Sequence, residues 1–116
     1  KKYNQLAFKH HQKIKKEFLD SLGKNYDLLL GYFGIFDLIG HLNFGNQLMI
    51  KMIYQELDEI GVEIEKKADK IIVLSDHGMT SKGMFGDHAD YGFWSTNFKD
   101  LNNPKIIDFA KIIAGI

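Results

Sequence analysis

Two short apolar runs separated by one long amphipathic stretch constrain the fold of this chain more than any other feature. Residues 26–33 and residues 70–75 are continuous apolar segments, which are typical of strands that are buried on both faces. Between them, residues 44–67 carry apolar side chains at helical spacing. A strand, a helix and a strand of these lengths predict a βαβ unit, in which the two strands run parallel.

Further helices are predicted on both sides of this unit. From residue 4 to residue 22, apolar side chains recur at multiples of four between lysines, and Gly23 ends the pattern. A last helix is predicted over residues 104–114, with Asn103 as its N-cap and Pro104 in its first turn. The predicted fold class is therefore α/β, with a parallel-sheet βαβ core flanked by helices. At 116 residues, the chain fits a single domain.

Composition excludes several classes of function. The chain has no cysteine, which rules out disulfides, thiol nucleophiles and thiolate metal sites, so any metal ligand must be His, Asp, Glu or a carbonyl. The formal net charge of zero gives no indication of a nucleic-acid polymer or an anionic membrane as partner. No apolar run is long enough to span a bilayer, and cytoplasm is the default localisation because no signal peptide is visible.

Polar side chains follow each of the two predicted strands. Asp37 and His41 come after the first strand, and Asp76 and His77 come directly after the second. Because the carboxyl ends of parallel strands meet at one edge, where ligands bind in open α/β sheets, we expect the four side chains to lie close together. Asp37 and His41 project from one face if their turn is helical. Carboxylate and imidazole without thiolate favour zinc, manganese or iron over calcium.

Each of these residues also has a simpler interpretation. Asp37 alone is typical of a turn or a helix cap, His41 of a hydrogen-bonded and half-buried side chain, and the Asp-His-Gly sequence of a turn. His88 lies in a predicted loop, residues 83–88, that could fold back over the site. The convergence of the first four on one edge favours a site. Other nearby histidines and acids are predicted to be packing or solvated residues: His10, His11, Asp87 and Asp90.

Three motifs in order resemble the alkaline phosphatase superfamily, and most closely its type I phosphodiesterase/nucleotide pyrophosphatase branch. They are Asp-x-x-Gly-His ending at His41, Ser-Asp-His-Gly-Met around His77, and Gly-x-His ending at His88, and the resemblance covers about residues 26–97. It implies a partial alkaline-phosphatase-like domain that uses two divalent metal ions. The resemblance assigns Asp37, His41 and His88 to the first ion and Asp76 and His77 to the second, with zinc as the first choice and manganese or iron as alternatives.

The resemblance also implies parts that this chain lacks. In the family, a nucleophilic Thr or Ser and a further Asp come from an earlier strand and helix, and nothing here matches them, so no catalytic residue is assigned. We therefore expect residues 1–116 to be a C-terminal fragment of a larger metallo-phosphodiesterase domain, inactive alone and holding one ion or none. The implied substrate of the whole enzyme is a phosphodiester or nucleotide pyrophosphate. Apolar surface exposed by truncation would favour artificial oligomers.

Three other interpretations stay open at the level of sequence. The chain could belong to a phosphoglycerate-mutase-like phosphomonoester enzyme, although Met79 and residues 91–95 favour the phosphodiesterase branch. It could instead be a metal-binding module without catalysis. The third is an α/β domain whose acids merely form turns.

Overall fold

The computed structural model describes residues 2–116 and shows a group of helices followed by two small sheets. Within these residues there are four α-helices, four strands and one 3-10 turn. In chain order they are α1 (Lys2–Leu22), α2 (Ile35–Asn43), α3 (Gln47–Glu65), β1 (Ile72–Ser75), β2 (Met79–Lys82), β3 (Phe85–His88), β4 (Phe93–Thr96), the 3-10 turn (Ile106–Asp108) and α4 (Phe109–Ala114).

The sheets are both antiparallel, so the predicted α/β fold with a parallel βαβ core is wrong. β1 pairs with β4, which places Ile72 opposite Thr96. β2 pairs with β3, which places Met79 opposite His88. Residues 26–33 belong to no strand, and the chain is α+β. The prediction of a partial alkaline-phosphatase-like domain required the parallel core, so it is wrong as well.

The error has a local cause. The stretch after β1 is not the continuous loop that its glycines and polar residues suggest, because β2 and β3 form a hairpin across a tight turn at Gly83, whose φ is 64°. After the hairpin, the chain returns alongside β1. Because Gly92 has no side chain, the backbone there passes close to the Ser75 carbonyl. β4 therefore pairs with β1 after a short loop closure. An apolar run does not encode which strand it will pair with.

The core lies where α1, α2 and α3 meet. Four of its buried residues form one cluster, and four partly buried side chains pack around it: Ala7, Ile35, Ile39 and Ile53, surrounded by Phe8, Phe36, Met49 and Leu57. Ile39 and Ile53 are fully buried, so each burial contributes roughly 1.5–3 kcal/mol. Because Ile35 and Ile39 both come from α2, this short helix is fixed by the two longer ones, and its polar face is fixed with it.

Helix boundaries agree with the sequence for the two long helices and differ at the end of the chain. The predicted helices over residues 4–22 and 44–67 correspond to α1 and α3, and the Asn46 side chain caps α3 by accepting a hydrogen bond from the Met49 amide at 3.2 Å. The predicted last helix is shorter, since Asn103 adopts a positive φ of 48° and the α-helix begins only at Phe109. Among residues 2–116, no helix combines the length and apolar character that crossing a bilayer requires.

One polar group is buried beside this core. His11 is only 3% exposed, and its Nε2 lies 3.4 Å from Glu56 Oε1, to which Lys15 Nζ donates at 2.7 Å. Burial lowers the pKa of His11 below its ordinary value of 6.5, and the Glu56 carboxylate opposes that shift. His11 is thus a packing residue and His10 is exposed, as the sequence predicted. Neutral His11 is the form that the folded chain favours.

We expect the free energy of unfolding to fall as the pH drops from about 7 to about 5. The unfolded chain takes up a proton on His11 near its ordinary pKa of 6.5, whereas the folded chain resists until the pH reaches the lowered value. The stabilisation is therefore complete above that ordinary pKa and lost as the pH falls through the folded one. Urea unfolding across this range should show a shallower pH dependence for His11→Gln than for the unaltered chain.

The matched control is His10→Gln, because His10 is exposed and adjacent in sequence. It should keep the pH dependence of the unaltered chain. If the free energy of unfolding changed equally with pH in His11→Gln and His10→Gln, this account of the buried histidine would be contradicted.

Candidate metal centre

Three of the predicted ligands meet at one point on the surface of α2. Asp37 and His41 lie one turn apart on this helix, and His88 is the last residue of β3. His88 Nε2 is 2.9 Å from Asp37 Oδ1, His41 Nε2 is 3.2 Å from the same oxygen, and the two Nε2 atoms are 3.0 Å apart. We call Asp37, His41 and His88 the Asp–His cluster. Of the described residues, only these three form a group with metal-ligand geometry.

The β2–β3 hairpin reaches α2 because two glycines allow the backbones to touch. A Cβ at Gly86 would lie 2.5 Å from the Gly40 carbonyl oxygen and 2.8 Å from Met79 Sδ, which are distances that no side chain tolerates. A Cβ at Gly40 would in turn lie 2.9 Å from Met79 Cε. Two residues beyond Gly86, the strand places His88 over the side chains of α2. The glycines therefore set the separation between the helix and the third ligand.

Hydrogen bonds to backbone carbonyls fix the state of two imidazoles. His41 Nδ1 lies 3.1 Å from the Gly86 carbonyl oxygen, and His77 Nδ1 lies 2.9 Å from the Gly78 carbonyl oxygen. A carbonyl only accepts, so each Nδ1 carries a proton, and in the neutral form of each ring Nε2 presents a lone pair. Metal-binding histidines commonly have one ring nitrogen held in this way while the other binds the ion.

The Asp–His cluster holds more acceptors than donors. When the His41 ring is neutral, the Asp37 carboxylate and His41 Nε2 both accept, and the remaining atom, His88 Nε2, can supply at most one proton to the two of them. A cation at the centre would satisfy all three atoms together. Ligand atoms 2.0–2.1 Å from a tetrahedral ion are about 3.3 Å apart. The observed separations of 2.9, 3.0 and 3.2 Å are within a few tenths of an ångström of that spacing.

The second predicted pair, Asp76 and His77, lies beside this cluster. The His77 ring stacks on the His88 ring with centroids 3.6 Å apart, and its Nε2 is 3.7 Å from Asp37 Oδ1 and 3.8 Å from Asp76 Oδ1. The Asp76 side chain is 74% exposed. The structure thus brings all five predicted site residues into one region, although it does so through a hairpin and not through a parallel sheet. His77 stays outside the three-residue group.

Sequence reasoning missed the residues that hold the ligands in place. The Gly86 carbonyl orients His41, and Gly40 and Met79 form the contact beneath it. The only sequence signal was the glycine two residues before His88, which was interpreted as part of a flexible loop. Asp87 is exposed, as predicted for a solvated acid, but it lies in β3 and not in a loop; its Oδ1 accepts a hydrogen bond from the His88 amide at 2.8 Å, and its Oδ2 lies 3.9 Å from Lys82 Nζ.

No family model, curated protein or solved structure matches the chain. The resemblance to the alkaline phosphatase superfamily therefore stays a hypothesis that rests on three short motifs. The geometry of the Asp–His cluster stands independently of it.

We expect Gly86→Ala to separate His88 from His41, because the added methyl group meets the Gly40 carbonyl and the hairpin must move. The change should also destabilise the fold by about 1–3 kcal/mol, as overpacking usually does. Nuclear Overhauser contacts between the two imidazole rings would report the separation, and thermal unfolding would report the stability.

Gly61→Ala is the matched control, because a Cβ at Gly61 has nothing within 4 Å and the residue lies in α3. It should keep the contacts between the rings and leave stability equal or higher, given the better helix propensity of alanine. Retention of the ring contacts in Gly86→Ala would show that the glycine pair does not set the cluster.

Proposed function

We propose that the chain binds one divalent transition-metal ion, zinc in the first instance, through Asp37, His41 and His88, and that the ion serves hydrolysis of phosphate esters. The observation that carries the metal proposal is the convergence of two acceptor-only atoms and one imidazole nitrogen at 2.9–3.2 Å. Without a cation, these atoms repel one another apart from a single shared proton. With one, all three gain a bond to it.

The type of ligand supports zinc. Imidazole nitrogen and carboxylate oxygen suit zinc and other first-row transition metals, whereas calcium takes six to eight oxygens. Three protein ligands leave a fourth position open, which is the arrangement of zinc sites that act on substrates. The Asp37, His41 and His88 side chains are 37%, 39% and 48% exposed, so an ion and a small ester have access from solvent.

Asp76 and His77 lie beside the Asp–His cluster, with His77 stacked on the His88 ring. Their two side chains alone would hold a second ion weakly, so the proposal assigns one ion to this chain and leaves a second to further ligands. His77 Nε2, with its lone pair, is also placed to accept a proton from a molecule bound beside His88. Its Nδ1–H bond to the Gly78 carbonyl holds the ring in that orientation.

The proposal of phosphate esters rests on chemistry together with the three motifs. An ion held by Asp37, His41 and His88 would supply Lewis-acid stabilisation of charge on a phosphoryl oxygen. The chain's own residues would hold that ion and leave the His77 imidazole beside it. None of the described hydroxyl groups hydrogen-bonds to the Asp–His cluster; Ser75 Oγ, which comes directly before Asp76, donates to the His77 carbonyl at 2.6 Å. We therefore expect turnover by this chain to be slow.

A metal-binding module without catalysis is the second candidate. The observation that favours it is this lack of a hydroxyl group at the Asp–His cluster. Such a module needs the same ion and the same three ligands, so metal binding alone does not distinguish the two functions.

The metal proposal predicts one zinc ion per chain. Calorimetric titration should give a stoichiometry of one, and thermal unfolding should shift upward with zinc, by about 2.7 kcal/mol in free energy at a hundredfold excess over the dissociation constant. His88→Gln should weaken binding strongly while the chain stays folded, because His88 is exposed. The matched control is His10→Gln, which lies outside the cluster. Equal zinc binding by the two variants would contradict the assignment.

The resemblance alone implies a fragment without activity, because it lacks the family's nucleophile; since the three ligands of one ion are together in this chain, the activity proposal instead predicts slow, zinc-dependent hydrolysis of an aryl phosphodiester by the loaded chain. The rate should exceed that of the same concentration of free zinc, and it should be lost in His88→Gln and kept in Asp87→Asn. A chain that binds one zinc ion yet hydrolyses neither diester nor monoester faster than free zinc would support the non-catalytic module instead.

A further inference from the structure

One methionine lies in the contact that assembles the Asp–His cluster. Met79 is partly buried, whereas the other three residues of β2 are exposed, and the register of the hairpin places it opposite His88. Its thioether lies across both glycines of the contact. A Cβ at Gly86 would be 2.8 Å from Met79 Sδ, and a Cβ at Gly40 would be 2.9 Å from Met79 Cε. The Met79 side chain therefore fills the space between the β2–β3 hairpin and α2.

Two of the three proposed ligands depend on this contact. The Gly86 carbonyl holds the His41 ring, and β3 carries His88. A hairpin that moves away from α2 therefore releases the His41 ring and removes His88, while Asp37 remains on the helix. The Asp–His cluster thus requires a closely fitting apolar group at residue 79.

The sulfur of Met79 is the part of this contact that can change chemically. The chain has no cysteine and four methionines, so thioethers are its only sulfur groups. Hydrogen peroxide oxidises a thioether to a sulfoxide. A sulfur lone pair takes up one peroxide oxygen, the O–O bond breaks, and the second oxygen leaves as water with both hydrogens. The sulfur loses two electrons, which the peroxide gains, and the side chain becomes polar.

A sulfoxide oxygen does not fit the space that Met79 Sδ fills. The sulfur packs against glycine backbone, where the Gly40 carbonyl oxygen comes within 2.5 Å of the Cβ position at Gly86. This carbonyl only accepts hydrogen bonds, so it offers no donor to the new oxygen, and a buried polar group without a partner is destabilising. The added atom also overfills a contact that already excludes a methyl group at either glycine. The oxygen reaches water only if the side chain leaves the contact.

We propose that Met79 is an oxidative modification site, at which a peroxide forms the sulfoxide and thereby separates the β2–β3 hairpin from α2 and disassembles the Asp–His cluster. Reduction of the sulfoxide reverses the change. Met84 provides an internal comparison, because it lies in the same hairpin but its side chain is 77% exposed. It should be oxidised sooner than Met79, and without effect on the cluster.

The effect on metal binding rests on the proposed function, but the structural change does not. Oxidation should separate the His41 and His88 rings, whose centroids are 4.8 Å apart, in the zinc-free chain as well. In the zinc-loaded chain it should raise the dissociation constant about 10–100-fold, which is the usual effect of losing a group that supports metal ligands.

The test follows treatment of the zinc-free chain with hydrogen peroxide over time. Peptide mass spectrometry gives the sulfoxide fraction at each methionine, and nuclear Overhauser contacts report the distance between the His41 and His88 rings. These contacts should fall in proportion to the sulfoxide at Met79 and persist while only Met84 is oxidised. The two methionine sulfoxide reductases, one for each epimer, should restore them with a dithiol that is oxidised to its disulfide. A parallel zinc titration measures the dissociation constant at each stage.

Three variants separate the sulfur chemistry from the packing. Met79→Leu keeps an apolar side chain of similar volume, so its ring contacts should survive peroxide. Met84→Leu is the matched control and should lose the contacts as the unaltered chain does. Met79→Gln brings a polar group to the contact and should lose the ring contacts without peroxide, while circular dichroism shows that the helices remain.

Ring contacts that persist with Met79 fully oxidised, or that peroxide removes equally from Met79→Leu, would overturn the proposal. A Met79 that stays reduced at peroxide concentrations that oxidise the other three methionines would overturn it too. Contacts that vanish with oxidation of Met79 in a chain that never binds zinc would support the modification site and contradict the metal assignment instead.

Discussion

The close contact between α2 and the β2–β3 hairpin is the constraint on which the site depends. α2 is held on the core by Ile35 and Ile39, and the hairpin approaches it closely because Gly86 has no side chain to meet the Gly40 carbonyl. Hydrophobic burial therefore fixes one half of the ligand set, and backbone packing fixes the other. The Gly86 carbonyl also orients the His41 ring, so a single contact sets both the distance and the tautomer.

The arrangement of acceptors at this contact connects the fold to a chemical property. Polar groups on a protein surface usually find water, and a cluster of exposed acids needs no ion. Here, however, three ring nitrogens lie within 3.7 Å of one carboxylate oxygen, and two of the rings, those of His41 and His77, are oriented by backbone carbonyls. Such pre-orientation lowers the cost of gathering ligands around an ion. The same physical reasoning applies whether the ion serves catalysis or only stabilises the chain.

The sequence predicted which polar residues lie close together better than it predicted the fold. Asp37 and His41 were correctly paired because helical spacing is a local property, and α1 and α3 were found for the same reason. The parallel sheet was wrong because strand pairing is decided at long range, here by a hairpin turn and a close backbone approach. Asp76 and His77 lie near Asp37, as expected, but the antiparallel hairpin and not a shared sheet edge brings them there. Nothing in the sequence revealed that residues 26–33 would belong to no strand.

Anomalous diffraction at the zinc absorption edge, from crystals of the chain grown with zinc, tests the central claim most directly. The account predicts one peak per chain, about 2.0–2.2 Å from Asp37 Oδ1, His41 Nε2 and His88 Nε2. A fourth ligand from solvent or from His77 would agree with it. Zinc bound elsewhere, or an Asp–His cluster that stays intact with no peak at saturating zinc, would contradict it.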